Sequence, residues 1–336
     1  MPDRYRRQKL FAPFGEEGQR RLAASRVAVI GVGATGSTSA QHLARAGVGR
    51  LDLYDRDFLT LDNLQRQSLF DEGDLKANLP KAEAAARRLR AVNGEIDVRG
   101  HVADVNFSNA EAIARGADLV VDGTDNFETR FLVNDACLKT ATPWIYAGAV
   151  GASGMVMNVL PGEGPCFRCM VAERPAPGST ATCDTAGILN AVVGVVASVQ
   201  AGEAIKLLAG RRDELLRGLL TVDVWTNQYR TFSIPRAPGC AACAGRYEHL
   251  DAATGTLATS LCGRNAVQIT PHPPARVDFA ATAARLAGGE VTHNEFLLRY
   301  RDGDVAFTLF ADGRAIVQGT DDPDRARSIY ARFVGA

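Results

Sequence analysis

The sequence has no excess of charge of either sign: its 336 residues carry 38 Lys+Arg and 38 Asp+Glu. A balanced chain has no bulk attraction for nucleic acid or an anionic membrane, so we predict neither partner. The first ten residues lack an apolar stretch and a small-residue cleavage site, which favours a cytoplasmic protein over a secreted one. Seven cysteines, an odd number, argue against a disulfide framework and for thiols, metal ligands or catalysis.

Long apolar runs are also scarce, and one stretch, Ile188–Leu208, is apolar enough to resemble a membrane span. This stretch carries polar residues at Asn190, Gln200, Glu203 and Lys206. It ends at Gly210, a residue typical of helix C-termini. We therefore predict a buried core helix.

Between Arg26 and Ala147 the chain alternates short β-branched runs with amphipathic stretches, which is typical of βαβ units. The predicted strands are Val27–Ile30, Leu51–Tyr54, Ile96–Arg99, Leu119–Val121 and Trp144–Tyr146. The predicted helices are Thr35–Arg45, Lys81–Val92 and Phe127–Lys139. This pattern predicts an α/β fold with a Rossmann-like, doubly wound and mostly parallel sheet. Runs at Leu219–Val224 and Tyr229–Ile234 predict that the sheet continues as a further β region.

The last part of the chain has a different rhythm, because Asp302-Gly303 and Asp312-Gly313 favour tight hairpin turns. These turns separate three predicted strands, Phe296–Tyr300, Val305–Leu309 and Ala315–Gln318, with helices expected at Asp278–Leu286 and Pro323–Phe333. We predict a domain over residues 1–248 and a small α+β appendage over residues 249–336.

A glycine-rich turn follows the first predicted strand. Gly31-x-Gly33-x-x-Gly36 opens a helix whose backbone N–H groups can bind phosphate, and Asp55 ends the next strand, where a carboxylate can accept ribose hydroxyls. These residues alone fit an NAD-binding dehydrogenase equally well.

Further polar residues follow the strand ends. The segment from Asp55 to Gln67 is rich in charged and amide side chains. Lys81 opens a helix, where the macrodipole disfavours a lysine unless it faces an anion such as a triphosphate. Asp125 brings a carboxylate that can hold Mg²⁺ or cap the following helix.

The motifs together resemble those of the E1-like adenylyltransferases of the ThiF/MoeB/HesA family. They are Gly31-x-Gly33-x-x-Gly36, Asp55-x-Asp57, Asn63-Leu-Gln-Arg66-Gln67, Pro80-Lys81 and Thr124-Asp125-Asn126, and the likeness spans about residues 4 to 245. The resemblance implies that ATP reacts with a ubiquitin-like sulfur-carrier protein ending in Gly-Gly. The products of this implied reaction are a carrier acyl-adenylate and pyrophosphate.

The resemblance also implies residue roles. Asp55 binds ribose; Asn63, Arg66 and Lys81 neutralise or orient phosphates; and Asp125 holds Mg²⁺. Gly31, Gly33, Ala34, Gly36, Asp57 and Asn126 complete the implied nucleotide site. Ala34 departs from the glycine of many relatives, which we expect to be tolerated if its φ stays negative.

Arg7 matches the arginine of the family's N-terminal motif, which reaches the ATP of the partner subunit and so implies a homodimer. The alternative for Arg6 and Arg7 is that they are solvated N-terminal charges. Attack of a carboxylate on phosphorus brings anions together, so this chemistry needs positive charge rather than an acid or a base.

Two C-x-x-C pairs, Cys166/Cys169 and Cys240/Cys243, lie in Gly/Pro-rich contexts. Four thiolates with this spacing suit tetrahedral Zn²⁺, which would join two distant loops, and the family has a structural zinc site. A redox-active pair is the competing interpretation. A closed four-cysteine site has no open coordination position, so we assign it no catalytic role.

Cys183 lies in a loop of small residues before the core helix and resembles the family cysteine that attacks the adenylate or forms an acyl disulfide. A plain loop residue is the alternative, and some relatives pass the adenylate to a separate sulfurtransferase or cysteine desulfurase. Cys137 is predicted to be a packing residue, and Cys262 has no assigned role.

The segments Ser260–Ile269 and Phe310–Thr320 resemble the C-terminal extension of some ThiF-type proteins, which favours the thiamine carrier, ThiS. Activation of the molybdopterin-synthase carrier, MoaD, is the alternative, and a noncatalytic scaffold is a third interpretation. A dehydrogenase would leave Arg66, Lys81, Asp125 and the paired cysteines without a role.

Overall fold

A computed structural model describes residues 3–175, 183–251, 257–261, 265–271, 276–286, 289–303 and 305–334. Within this part of the chain, residues up to 251 belong to one compact unit and residues from 257 onward to a second. The domain boundary after residue 248 stays a prediction. Cys262 lies outside the described residues.

The first unit is an eight-stranded sheet with helices on both faces. Its strands are β1 Arg26–Ile30, β2 Arg50–Asp55, β3 Asp97–Val102, β4 Leu119–Asp122, β5 Trp144–Val150, β6 Ser153–Val159, β7 Leu219–Asp223 and β8 Gln228–Phe232. Its helices are α1 Arg6–Lys9, α2 Gly15–Ala24, α3 Ala34–Ala46, α4 Glu72–Lys76, α5 Lys81–Val92, α6 Ala110–Arg115, α7 Phe127–Thr140, α8 Phe167–Met170, α9 Cys183–Ala186 and α10 Asn190–Leu208.

The strand order is β3-β2-β1-β4-β5-β6-β7-β8. The first five strands in this order are parallel, and β6, β7 and β8 each pair antiparallel with the strand before them. Alternate residues of a strand point to opposite faces, so β1 contributes to two layers. Ala28 and Ile30 pack with α6 and α7, whereas α3, α5 and α10 lie side by side. This arrangement confirms the predicted doubly wound sheet and its continuation.

Strand β6 was not predicted, and glycine explains why. Gly148 in β5 and Gly154 in β6 weaken the sequence signal for strand. A Cβ built on Gly154 would collide with the Val196 side chain of α10, so the glycine lets the helix approach the sheet closely. Tertiary packing therefore requires a residue that local propensity disfavours.

Helix α10 is the one described helix that is long and apolar enough to cross a membrane. It packs against α3, β5 and β6 as the predicted core helix. Gln200 Nε2 donates to the carbonyl oxygens of Asp122 and Ile145 at 2.8 Å each. Glu203 Oε2 accepts from the backbone N–H of Leu216 at 2.8 Å. Gln200 thus holds the helix to the sheet, and Glu203 holds it to the segment before β7.

The second unit is a six-stranded antiparallel sheet in the order β11-β12-β13-β14-β10-β9. Its elements are β9 Leu257–Leu261, β10 Ala266–Thr270, α11 Phe279–Arg285, β11 Glu290–His293, β12 Leu297–Asp302, β13 Val305–Phe310, β14 Ala315–Gln318 and α12 Pro323–Val334. Asp322 Oδ1 accepts from Asp324 N at 2.9 Å, which confirms the predicted N-cap of α12. The predicted meander and both helices are present, whereas β9, β10 and β11 were not predicted.

Candidate nucleotide site and thiolate cluster

Three glycines meet where β1 and β4 end. Gly31 has a φ of +82°, which favours glycine. A Cβ built on Gly36 or Gly123 would collide with the carbonyl oxygen of Gly31, so no side chain fits at either position. Helix α3 begins at Ala34 after Gly33, which offers no side-chain cap to the first N–H groups. The turn therefore presents bare backbone and a helix N-terminus, the arrangement that binds phosphate. The φ of Ala34 is not positive, as its tolerance requires.

Asp55 is fixed at the carboxyl end of β2 by two backbone N–H groups. Its Oδ2 accepts from Val32 at 2.7 Å and its Oδ1 accepts from Asp57 at 2.7 Å. Burial raises the pKa of this carboxyl group, and the nearby Lys81 opposes the rise. The hydrogen bond from Val32 connects the end of β2 to the glycine turn.

Lys81 is the first residue of α5 and is only 4% exposed. Its Nζ lies 3.5 Å from Asp57 Oδ2, and its backbone N–H donates to the Asp57 carbonyl oxygen at 2.9 Å. The expectation that a lysine at this helix N-terminus faces an anion is met by Asp57. A buried ammonium group with a single short carboxylate contact retains donors that phosphate oxygens can accept.

Asn63 and Gln67 bring buried amides to the same region, and they are 2% and 4% exposed. Asn63 Oδ1 and Gln67 Oε1 have no hydrogen-bond partner. The Gln67 amide nitrogen lies 3.8 Å from a Cβ built on Gly33, so it borders the glycine turn. Unpartnered buried polar atoms are costly in a folded protein, and a bound polar ligand would offset that cost. Gln67 had no predicted role, although the motif around Arg66 contains it.

Arg66 is half-buried, and its Nη1 donates to the Asp62 carbonyl oxygen at 2.8 Å. Asp125 is exposed just beyond β4. The side chain that caps α7 is that of Asn126, whose Oδ1 accepts from Thr129 N at 2.9 Å. The alternative interpretation of Asp125 as the helix cap is therefore wrong, and Asn126 has a structural role.

A buried ion pair between the end of β4 and helix α7 was not predicted from the sequence. Arg130 Nε lies 3.1 Å from Asp122 Oδ2, and both residues are buried. The Asp122 carboxylate also accepts from the backbone N–H of Thr124 at 2.8 Å and from its hydroxyl at 2.6 Å. Burial raises the pKa of Asp122, whereas the Arg130 charge opposes the rise. The sequence signal was an arginine five residues after Asp125.

These residues fit a nucleoside triphosphate with Mg²⁺. The glycine turn supplies backbone donors, Lys81 and Arg66 supply positive charge, and Asp125 supplies the oxygen ligand type that Mg²⁺ prefers. The unpartnered amide oxygens are an independent sign that the site is built for a polar ligand.

The four paired cysteines come together as predicted. All four Sγ atoms lie within 4.8 Å of one another, with Cys166 and Cys240 at 3.6 Å and Cys169 and Cys243 at 3.6 Å. Four sulfurs at about 2.3 Å from a central zinc ion would be roughly 3.8 Å apart. None of the four forms a disulfide. The cluster therefore suits one tetrahedral zinc ion, and its two halves lie 74 residues apart along the chain.

The remaining candidates are Cys183, Cys137 and Arg7. Cys183 begins α9, and its Sγ lies 3.6 Å from the Ala149 carbonyl oxygen. Cys137 is fully buried in the apolar core, as predicted. Arg7 is exposed on α1, and the neighbouring Gln8 donates to the Ala46 carbonyl oxygen at the C-terminal end of α3. Because α3 is about 20 Å long, the structure does not bring Arg7 to the glycine turn of its own chain.

The sequence model of the ThiF family matches residues 5–242. This chain belongs to the ThiF family. The matched region contains the glycine turn, Asp55, Lys81 and Asp125. It also contains three of the four paired cysteines, and Cys243 lies one residue beyond it.

Individual relatives of this ThiF-family chain extend the comparison. It is 43% identical over 341 residues to the sulfur carrier protein ThiS adenylyltransferase of Bacillus subtilis, and the match covers all of both chains. It is 38% identical to the SAMP-activating enzyme E1 of Haloferax volcanii, over 72% of this chain and 88% of that one. The crystal structure of E. coli MccB with ATP superposes with a TM-score of 0.63 at 24% identity, covering 72% of this chain and 74% of that one, which shows the shared fold.

Proposed function

We propose that this ThiF-family enzyme uses ATP to adenylate the C-terminal Gly-Gly carboxylate of a ubiquitin-like sulfur carrier, with release of pyrophosphate. The observation that carries the proposal is the meeting of the glycine turn, the Lys81–Asp57 pair and Asp125 at one edge of the sheet. The similarity to a ThiS adenylyltransferase extends over the second unit as well, which favours a ThiS-type carrier.

The proposed reaction is a displacement at the α-phosphorus of ATP. A bond forms between a carrier carboxylate oxygen and this phosphorus, the bond to the bridging oxygen breaks, and its electron pair leaves with pyrophosphate. Asp55 would hold the ribose, Asn63, Arg66 and Lys81 would hold the phosphates, and Asp125 would hold Mg²⁺. When bound, Mg²⁺ would neutralise part of the phosphate charge.

The position of Arg7 supports a homodimer in which this arginine serves the other subunit. The same-chain nucleotide edge lies at the far end of α3, so a partner chain offers Arg7 a site that its own chain does not. We further propose that Cys183 takes part in sulfur relay after adenylation, with a sulfurtransferase or cysteine desulfurase as donor, and that the enzyme acts in the cytoplasm.

The experiment that tests the function is ATP–pyrophosphate exchange with Mg²⁺ in three arms: without a carrier, with a ThiS-type carrier and with a MoaD-type carrier. We expect exchange with the ThiS-type carrier. Exchange with the MoaD-type carrier alone would move the enzyme to the molybdopterin pathway. ATP binding without exchange in any arm would favour the scaffold interpretation.

A further inference from the structure

Arg130 is oriented by hydrogen bonds of its Nε and Nη2 atoms and by two aromatic rings. Its Nε lies 3.1 Å from Asp122 Oδ2, and its Nη2 donates to the carbonyl oxygens of Thr124 at 2.6 Å and Ala147 at 3.2 Å. The ring centres of Phe127 and Tyr146 lie 5.8 and 5.1 Å from its central carbon. A planar cation with two of its nitrogens hydrogen-bonded and two aromatic rings near its central carbon has little rotational freedom.

The groups that Arg130 contacts belong to two different strands and the turn that follows one of them. Asp122 and Thr124 belong to the end of β4 and its turn, and Asp125 is the next residue of that turn. Ala147 lies in β5, two residues before Ala149, whose carbonyl oxygen contacts the Cys183 thiol. Arg130 is thus a direct link between the turn that carries Asp125 and the strand that borders Cys183.

We propose that Arg130 is a positioning residue that fixes the Thr124–Asp125 turn against β5 in the geometry that binds Mg²⁺ with the nucleotide. This inference rests on the proposed function, since it assigns Asp125 to the metal. Arg130 itself is buried and touches the turn through the Thr124 carbonyl oxygen, so it acts through Asp125 rather than on the substrate.

The test compares Arg130→Lys with the unaltered enzyme. Lysine keeps the positive charge beside Asp122, but its single nitrogen cannot reproduce the three contacts of the guanidinium group. Arg115→Lys is the matched control, because Arg115 forms a surface pair with Glu111 at 2.7 Å and its side chain is 66% exposed. Gly148→Ala is a second variant, since a Cβ built on Gly148 lies 2.7 Å from the Tyr146 hydroxyl and 3.6 Å from Arg130 Nη2.

Two readouts are measured. In the protein without nucleotide or metal, hydrogen exchange over residues 123–126 should be faster in Arg130→Lys and, to a smaller extent, in Gly148→Ala. In binding assays with fluorescent ATP, the Mg²⁺ concentration needed for half-maximal binding should rise about tenfold in Arg130→Lys, as expected for losing a hydrogen bond to a charged group. Binding measured without Mg²⁺ should not change.

Unchanged exchange over residues 123–126 together with an unchanged Mg²⁺ requirement in folded Arg130→Lys would overturn the inference. Uniformly faster exchange across the whole first unit would also overturn it, because Arg130 would then be a purely structural residue. If Arg130→Lys does not fold, Gly148→Ala decides between these outcomes. Failure of the unaltered enzyme to adenylate any carrier would instead count against the proposed function.

Discussion

The nucleotide edge and the thiolate cluster are both assembled from residues far apart in sequence. They differ in whether their polar atoms could all be satisfied by a single bound ion. At the nucleotide edge, Asn63 Oδ1 and Gln67 Oε1 are buried without partners, and Asp125 is exposed. In the cluster, four sulfurs lie close enough to satisfy one ion completely. The first arrangement suits a ligand that comes and goes, whereas the second suits a permanent structural ion.

The largest expected effect is at the nucleotide edge. Lys81→Ala should lower ATP–pyrophosphate exchange by about a thousandfold, because it removes the buried positive charge that the proposed function assigns to the phosphates. Lys76→Ala is the control, since Lys76 is a surface lysine whose side chain is 79% exposed. Normal exchange by Lys81→Ala would show that Lys81 does not act in the nucleotide site, and the nucleotide edge would then not differ from the cluster in the way described.

The next effect is at the thiolate cluster and should appear in stability. Cys166→Ser, or removal of the ion by a chelator, should lower the melting temperature by about 10 °C, because the ion closes a long loop of the chain. Metal content and melting are measured together. Cys183→Ser is the control and should keep both. A metal-free protein that melts at the same temperature would show that the cluster is not a structural staple.

A third effect distinguishes Asp52 from Asp55, the two carboxylates of strand β2, by stability rather than activity. Burial disfavours the charge of Asp52, but hydrogen bonds from His101 and Arg50 outweigh burial and lower its pKa to about 2. A lowered carboxyl pKa stabilises the fold above the unfolded value, and this contribution is lost as the pH falls from about 4 to about 2. Asp52→Asn should therefore cost about 2 kcal/mol at pH 7 without changing exchange activity.

Denaturation by urea at several pH values measures this effect. The difference in free energy of unfolding between the unaltered chain and Asp52→Asn should shrink through that window. A difference that stays constant down to pH 2 would show that the Asp52 charge does not stabilise the fold. Loss of exchange activity at pH 7 would place Asp52 with Asp55 in the nucleotide site.

The smallest effect concerns the unpartnered amide oxygen of Gln67. Gln67→Met should raise the free energy of unfolding of the nucleotide-free protein by up to about 1 kcal/mol, because it removes a buried acceptor without a partner. It should also weaken ATP binding about tenfold. Gln65→Met, at an exposed position, is the control. Lower stability with unchanged ATP binding would make Gln67 a structural residue.

The elements that the sequence predicted best are those in which local pattern and tertiary structure agree. Strands β1, β2 and β4 follow from apolar runs and turn chemistry. The sequence therefore predicted that Asp55 ends β2, that Lys81 begins α5 and that Asp125 follows β4, whereas their roles toward a nucleotide stay predictions. The cysteine spacing likewise predicted the cluster.

The features that escaped depend on contacts between distant residues. Gly154 lies in a strand where α10 leaves no room for a side chain, and Arg130 contacts the carbonyl oxygens of Thr124 after β4 and Ala147 in β5. A single sequence does not reveal which backbone carbonyl an arginine will meet. The sequence offered Asp125 as an alternative cap of α7, but the cap is Asn126, because adjacent Asp and Asn are equally good caps.

The most direct test of the account is the intact mass of a ThiS-type carrier incubated with this enzyme, ATP and Mg²⁺, with pyrophosphate measured in parallel. The account predicts that the carrier gains one adenylyl group for each pyrophosphate released, and that Lys81→Ala gives neither product. A carrier of unchanged mass, with ATP either intact or converted to ADP, would contradict it.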